Sequence, residues 1–278
     1  MRTIISPDQH HSLTSYVSTC CNAFPSRTAF VEEDRAISYD ELWERAGALA
    51  GFLEQMCGIG RGDRVAVMLP NIIAFPISSI AILRLGAVQV NINPFYTARE
   101  LRHQLDDADV GIVIAGKGAL PALTGAAPAS LHTILLTDTP VEATTPPASA
   151  HGPIRLFALQ DALMAGFIPA KAAGTEEAAD LAFLQYTGGT TGLSKGAMLS
   201  HGNILANVGQ LLTMGQSHFH AHPITVLTAI PLYHIFALTV NMFSMFALGA
   251  ENILIPDPRN ISALVSRWSR HRINFITG

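Results

Sequence analysis

Between Tyr186 and Gly196 the sequence runs Tyr-Thr-Gly-Gly-Thr-Thr-Gly-Leu-Ser-Lys-Gly. Four glycines and three threonines in eleven residues, with a lysine near the end, are the composition of a loop that grips a polyphosphate. Gly188, Gly189 and Gly192 let backbone N–H groups crowd around an anion in conformations other residues tolerate poorly. Thr187, Thr190 and Thr191 add hydroxyl donors, and Lys195 adds a mobile positive charge. Apolar runs lead in over 181–184 and out over 197–199. A Walker A loop needs Gly-Lys-Ser/Thr followed by a helix, whereas Lys195 lies beyond Gly192 and precedes a strand-like run. No Gly-x-Gly-x-x-Gly occurs in the stretch. A plain Gly/Thr turn needs one or two glycines, not four alongside hydroxyls and a lysine.

The other residues with chemical potential are less decisive. His234 stands in Pro231-Leu232-Tyr233-His234, just before an apolar run. By residue type alone it is equally a satisfied histidine at a helix N-terminus. His218, His220 and His222 alternate as metal ligands on a strand would, but no Cys, Asp or Glu lies nearby, and a solvated loop is the favoured reading. Asp106, Asp107 and Asp109 read as a solvated helix end. Cys20, Cys21 and Cys57 are an odd set with an adjacent pair, which fits buried thiols in a reducing compartment.

The elements that must position these residues alternate. Helices are predicted around 13–23, over 42–56 behind a Ser38-to-Glu41 capping box, over 72–85, from a Thr97-to-Glu100 capping box to about Ala108, and from Ser200 through Leu211. Further helices follow over 235–248 and 261–271. Strands are predicted at 28–31, 65–69, 88–92, 110–114, 133–136, 225–230, 252–255 and 273–276, with another leading into the phosphate loop. The pattern indicates α/β layers with largely parallel sheets flanked by helices. The Pro/Thr/Ala/Ser-rich stretch 138–153 reads as a surface loop, and 170–180 as a polar bridge between two subdomains, 1–175 and 176–278.

Composition sets the outer bounds. The 278 residues carry a net charge of −4, with 14% charged and 49% apolar residues, so a large buried core is affordable and no basic excess points to nucleic acid. The N-terminus lacks an apolar signal core. Apolar stretches at 65–83 and 235–250 are broken by prolines and asparagines or too short to span a bilayer. The mean hydropathy of +0.31 leaves peripheral membrane contact open.

The 186–196 stretch resembles the phosphate loop of the adenylate-forming enzymes, the superfamily of acyl-CoA synthetases, luciferases and peptide-synthetase adenylation domains. Their usual pattern has a serine where Gly188 stands and a proline where Ser194 stands. Both departures resemble the bacterial long-chain fatty acyl-CoA synthetase branch. Asn93-Pro94-Phe95-Tyr96-Thr97 with Glu100-Leu101, and the run from Pro231 to Thr239, are similar to that branch, and the motifs come in the family's order.

The resemblance implies the N-terminal part of the acyl-CoA synthetase large domain. It implies ATP-dependent activation of a long-chain fatty acid to an acyl-adenylate and then to acyl-CoA, with AMP and pyrophosphate released. ATP, Mg²⁺ and coenzyme A are the expected cofactor and substrates. Thr187, Gly188, Gly189, Thr190, Thr191, Gly192 and Lys195 would hold ATP phosphates, with Thr187 a candidate Mg²⁺ ligand. Lys195 and His234 are the candidate catalytic residues, and Tyr233, His234, Ile235 and Phe236 the candidate acyl-pocket residues. The run 235–248 would line a long apolar pocket or serve as ordinary core. Other expected properties are a cytoplasmic location, a homodimer as one common arrangement in the family, and contact with the inner membrane as an option. Other adenylate formers acting on aryl or medium-chain acids, and a non-catalytic nucleotide-binding or dimerisation module, remain the alternatives. The family's later aromatic-Gly-x-Thr-Glu motif, ribose-binding Asp, hinge and C-terminal lysine have no counterpart, so the chain is expected to be part of an enzyme roughly twice as long and inactive in thioester formation by itself.

Overall fold

The computed structural model describes residues 3–138, 148–149, 152–169, 175–187, 194–219 and 223–277. Helix α1 (Leu13–Ala23) starts at Ser12, whose side chain and that of Ser15 form a reciprocal capping box. Strands β1 (Thr28–Glu32) and β2 (Arg35–Ser38) form a hairpin. Helix α2 (Tyr39–Cys57) follows, then β3 (Arg64–Met68), α3 (Ala74–Arg84), β4 (Val88–Asn91) and α4 (Ala98–Asp107). The chain continues through β5 (Ile112–Ala115), α5 (Leu120–Ala126), β6 (Thr133–Leu136), a two-residue ladder of β7 (Ala148–Ser149) with β8 (Gly152–Pro153), β9 (Arg155–Ala158) and α6 (Leu159–Met164). Strands β10 (Leu181–Thr187) and β11 (Lys195–Ser200) flank the glycine-rich stretch expected to be a phosphate loop. Then come α7 (His201–Met214), α8 (Gln216–Phe219), β12 (Thr225–Thr228), the single turn α9 (Ile235–Ala237), β13 (Glu251–Leu254), α10 (Ile261–Arg270) and β14 (Phe275–Ile276).

Two sheets result. One has the order β14-β12-β13-β1-β2 and the other β11-β10-β4-β3-β5-β6-β9. Within the second sheet all neighbours are parallel except β10 and β11. The predicted division at 175/176 falls between strands that share sheets. Strand β1 pairs in parallel with β13, and β10 pairs in parallel with β4, so each sheet takes strands from both sides of it.

Alternation along β3 explains the layering. Val65 and Val67 join the core shared with α1, α2 and α3, while Ala66 and Met68 join the core beneath α4 and α5. Parallel strands buried on both faces read as continuous apolar runs, and all four β5 residues are buried. Fully burying one such side chain contributes about 1.5–3 kcal/mol. Helix α2 ends at Gly58 with φ 74°, a left-handed cap that glycine takes without strain. Only half of its expected capping box forms: Ser38 Oγ accepts from Glu41 N, while the Glu41 carboxylate pairs with Arg45 one turn on.

The predicted helix 235–248 takes a different form. After α9, residues Leu238–Ser244 are π-helical, and Ser244 Oγ donates to the Thr239 carbonyl at 2.8 Å. The wider register aims buried Asn241 at β12, where its Nδ2 donates to Thr228 Oγ1 at 3.4 Å. Among the described residues, no helix is long and apolar enough to cross a membrane.

Candidate active site

All parallel strands of the larger sheet end on one edge, and the phosphate loop leaves that edge from β10. Thr187 closes β10 opposite Lys195, which opens β11, and both are exposed. Gly188, Gly189, Thr190, Thr191 and Gly192 lie outside the described residues. What holds the loop's two stems is well defined. Tyr186 lies across from Gly196 in the hairpin, and a Cβ added at Gly196 would sit 3.0 Å from the tyrosine ring. Glycine there lets the ring lie flat on the neighbouring strand. The Tyr186 hydroxyl donates to Asp107 on α4. Burial, and then the Asp107 carboxylate, push that phenol well above its usual pKa, so it stays a donor. From the same helix, His103 Nε2 lies 2.7 Å from the Ser194 carbonyl oxygen. That geometry makes the nitrogen a donor. Asp107 is thus a structural anchor and not only a solvated helix end. Asp109 differs, since it pairs with Arg64 at 2.7 Å.

The histidine turn is held by two buried amides. Asn71, just past β3, donates to the carbonyls of Thr228 (3.0 Å) and Ile230 (3.1 Å), and its Oδ1 accepts from Leu232 N at 2.7 Å. Gln185 on β10 accepts from Asn91 at 2.9 Å and donates to the Tyr233 carbonyl at 3.2 Å. Gln185 therefore joins the strand that carries Thr187 to the turn that carries His234. Asn91 in turn accepts from Gln89 at 2.7 Å. Such an amide chain is rigid only when its bonds are made, because an unpaired buried amide costs about 1–3 kcal/mol.

Tyr233 is buried, Ile235 half-buried, and Phe236 exposed. His234 stands at the N-terminus of α9 and is open to solvent on one side, but its side chain makes no capping hydrogen bond. The bland sequence reading, a satisfied cap, is therefore not met. Its ring centroid lies 4.6 Å from that of Tyr233. Partial burial lowers the imidazole pKa, which favours the neutral ring. The long apolar wall expected over 235–248 is packed core: Leu238, Met242, Phe243 and Phe246 are completely buried. Beside the turn, a cavity of about 150 Å³ is lined by Pro70, Asn71, Phe95, Tyr233 and Arg259.

Of the histidine run, His218 lies on α8 against Phe219, and His220 and His222 lie outside the described residues. No group of three or more His, Cys, Asp or Glu among the described residues is placed to hold a metal. The three cysteines are buried and unpaired; burial pushes the thiol of Cys21 up to about 12 and that of Cys57 up to about 11. His103, Asn71 and Gln185 were missed by sequence reasoning. The signal available for the strand amides was a polar residue interrupting an apolar strand, as in Val88-Gln89-Val90-Asn91.

Residues 17–278 match the AMP-binding enzyme family. The chain belongs to that family. A long-chain-fatty-acid–CoA ligase of Salmonella typhimurium is 36% identical over 99% of this chain and 52% of its own length. The chain thus spans about half the length of the curated relatives it matches. Among solved structures, ATP-bound MatB from Rhodopseudomonas palustris aligns with a TM-score of 0.74 and 26% identity over 96% of this chain and 49% of that one. The anthranilate CoA ligase AuaEII aligns at 0.79 and 19% identity over 96% and 49%, a likeness of fold. The AMP-binding family assignment covers the phosphate loop, the α4 anchors and the histidine turn together.

Proposed function

We propose that this chain carries the phosphate-gripping and acid-binding portion of an AMP-forming fatty acid–CoA ligase. In the first step the fatty carboxylate oxygen attacks the α-phosphorus of ATP, and pyrophosphate leaves. In the second the thiol of coenzyme A attacks the acyl carbon, and AMP leaves. A carboxylate is a poor electrophile, and adenylation gives it a good leaving group. Such displacements depend on positioning and on neutralising oxygen charge.

Residues 187–192 and Lys195 hold the β- and γ-phosphates, with Lys195 standing across the hairpin from Thr187. The described residues offer a magnesium ion a neutral threonine hydroxyl rather than a carboxylate cage. That set fits Mg²⁺ carried mainly by the nucleotide's phosphates, where Thr187 would hold it and it would neutralise phosphate charge. His234 donates a hydrogen bond to the acid's carboxylate, a role supported by its exposed side chain, which makes no capping bond. Tyr233, Ile235 and Phe236 frame the entrance for the acyl group.

The observation that carries this reading is the Gln185 bridge to the Tyr233 carbonyl, which fixes the phosphate-loop strand and the histidine turn as one unit. The 36% identity to long-chain ligases supports the acid class. Calorimetric titration with a non-hydrolysable long-chain acyl-adenylate mimic tests it. Binding weakened at least tenfold by both Lys195→Ala and His234→Ala is expected, with tighter binding for longer acyl chains. Equal binding of an aryl-adenylate mimic would favour an aryl acid, and binding indifferent to both substitutions would overturn the assignment.

A further inference from the structure

Within the larger sheet, β3 to β9 follow the order β4-β3-β5-β6-β9. The chain leaves β3 toward one side, for β4, and leaves β5 toward the other, for β6. The strand order therefore reverses between β3 and β5. In open α/β sheets a crevice forms outside the carboxyl ends of the strands at such a reversal, and ligands bind there. A cavity of about 450 Å³ lies at this place. It is lined by Pro70 after β3, Gly116 after β5, Thr137 and Asp138 after β6, and Leu159 after β9. The phosphate loop leaves the same sheet edge from β10, on the far side of β4.

The lining has two parts. Ile72, Ile77, Leu159 and Leu163 supply an apolar wall between α3 and α6. Arg35 and Arg45 supply positive charge from β2 and α2. Two carboxylates also face the cavity, but each is engaged by a backbone amide. Glu32 Oε2 accepts from Ile73 N at 2.8 Å, and Asp138 Oδ1 accepts from Lys117 N. Arg45 is paired with Glu41. Arg35 is exposed and makes no ion pair or side-chain hydrogen bond among the described residues. The cavity thus presents one guanidinium outside any ion pair, that of Arg35, opposite an apolar wall, with the Glu32 carboxylate on the neighbouring strand and Asp138 at the end of β6.

We infer that this crevice is a second small-molecule site, separate from the phosphate loop, and that it takes an amphipathic anion. The anionic group pairs with Arg35, whose planar fork suits a carboxylate or a phosphate. The apolar body lies on Ile77, Leu159 and Leu163. This inference does not depend on the ligase reading.

The test is methyl NMR of the chain labelled at isoleucine and leucine, titrated with 2-naphthoate, 2-naphthyl phosphate and the uncharged 2-naphthylmethanol. Saturable shifts at the Ile77, Leu159 and Leu163 methyls are expected with an anionic probe. Affinity should fall at least tenfold in Arg35→Ala and stay unchanged in Arg99→Ala, an equal loss of charge on α4. A response to the phosphate alone or to the carboxylate alone would support the site and assign its anion class. Three results would overturn it: no saturable shift at these methyls with either anion, equal affinity for the uncharged alcohol, or an Arg35→Ala chain that binds as the parent does. Arg35 is exposed, so its replacement leaves the fold intact, and the methyl spectrum verifies this directly.

Discussion

His103 Nε2 lies 2.7 Å from the carbonyl oxygen of Ser194, while one turn further along α4 Asp107 accepts the hydroxyl of Tyr186. One helix therefore fixes the residue entering the glycine-rich loop and a residue leaving it. Removing a neutral hydrogen bond of this kind costs about 1 kcal/mol, roughly a fivefold change in an equilibrium constant. His103→Ala is expected to weaken ATP binding by about that factor, and His103→Gln, which keeps a donor, to restore much of it. Calorimetric titration of both variants with ATP checks this. A His103→Ala chain that loses stability in urea but binds ATP unchanged would reduce the contact to scaffolding.

Replacing Gln185 by leucine leaves the Asn91 amide and the Tyr233 carbonyl without their shared partner. Each orphaned buried group costs about 1–3 kcal/mol. Gln185→Leu should lower unfolding free energy by about 2–6 kcal/mol, measured by urea denaturation. A loss below about 1 kcal/mol would mean that water or rearrangement replaces the bridge.

Helix α2 contains Gly51, where general helix propensity favours alanine by about 1 kcal/mol. The structure reverses that expectation. A Cβ at Gly51 would sit 2.7 Å from the backbone nitrogen of Ile168. Backbone cannot swing aside as a side chain does, and overpacking of this kind costs about 1–3 kcal/mol. Gly51→Ala should therefore destabilise the protein in thermal unfolding. A raised melting temperature would show that residues 167–168 do not rest on α2.

His201 is completely buried, and its Nδ1 accepts from Leu13 N at 3.1 Å. Burial holds its pKa down to about 4, with Arg61 and His11 adding and Asp180 opposing. Between about pH 6.5 and 4 the unfolded chain takes up a proton that the folded chain refuses, so stability falls as the pH drops, by about 3 kcal/mol in total. His10, His132 and His234 are also lowered by burial and act in the same direction. Buried Glu176, raised by burial, acts oppositely, because its folded form protonates first. Urea midpoints at pH 7.5 and 5.0 should show the net loss, and His201→Asn, which offers an oxygen in place of Nδ1, should shrink it. An unchanged difference in that variant would place the pH sensitivity elsewhere.

Local structure was legible wherever periodicity or a cap declared it. The boundaries of α1 fall at Leu13 and Ala23, and Thr97 with Glu100 forms the reciprocal box expected of it. Pairing between distant strands was not legible, because nothing in Phe30 announces Asn252 as its neighbour. Strands β2 and β9 escaped notice, since Arg35–Ser38 and Arg155–Ala158 are short and half exposed. At the site, the phosphate loop's composition was explicit, whereas its anchors were not. His103 looks like any helical polar residue until α4 is laid beside β10 and β11. The π-helical stretch was hidden for a similar reason, as an apolar run fits either register until Asn241 finds Thr228.

The pairing of Phe30 with Asn252 also sets a timetable for synthesis. At roughly 5–20 residues per second, a ribosome delivers β13 on the order of 10–40 s after β1. Until then the β1–β2 hairpin has an open edge and no sheet to join, and exposed strand edges invite aggregation. The larger sheet assembles earlier around β3, β4, β5 and β6, which lie close together in sequence. A nascent chain released early is thus expected to be half built, with one sheet formed and the other awaiting its central strands.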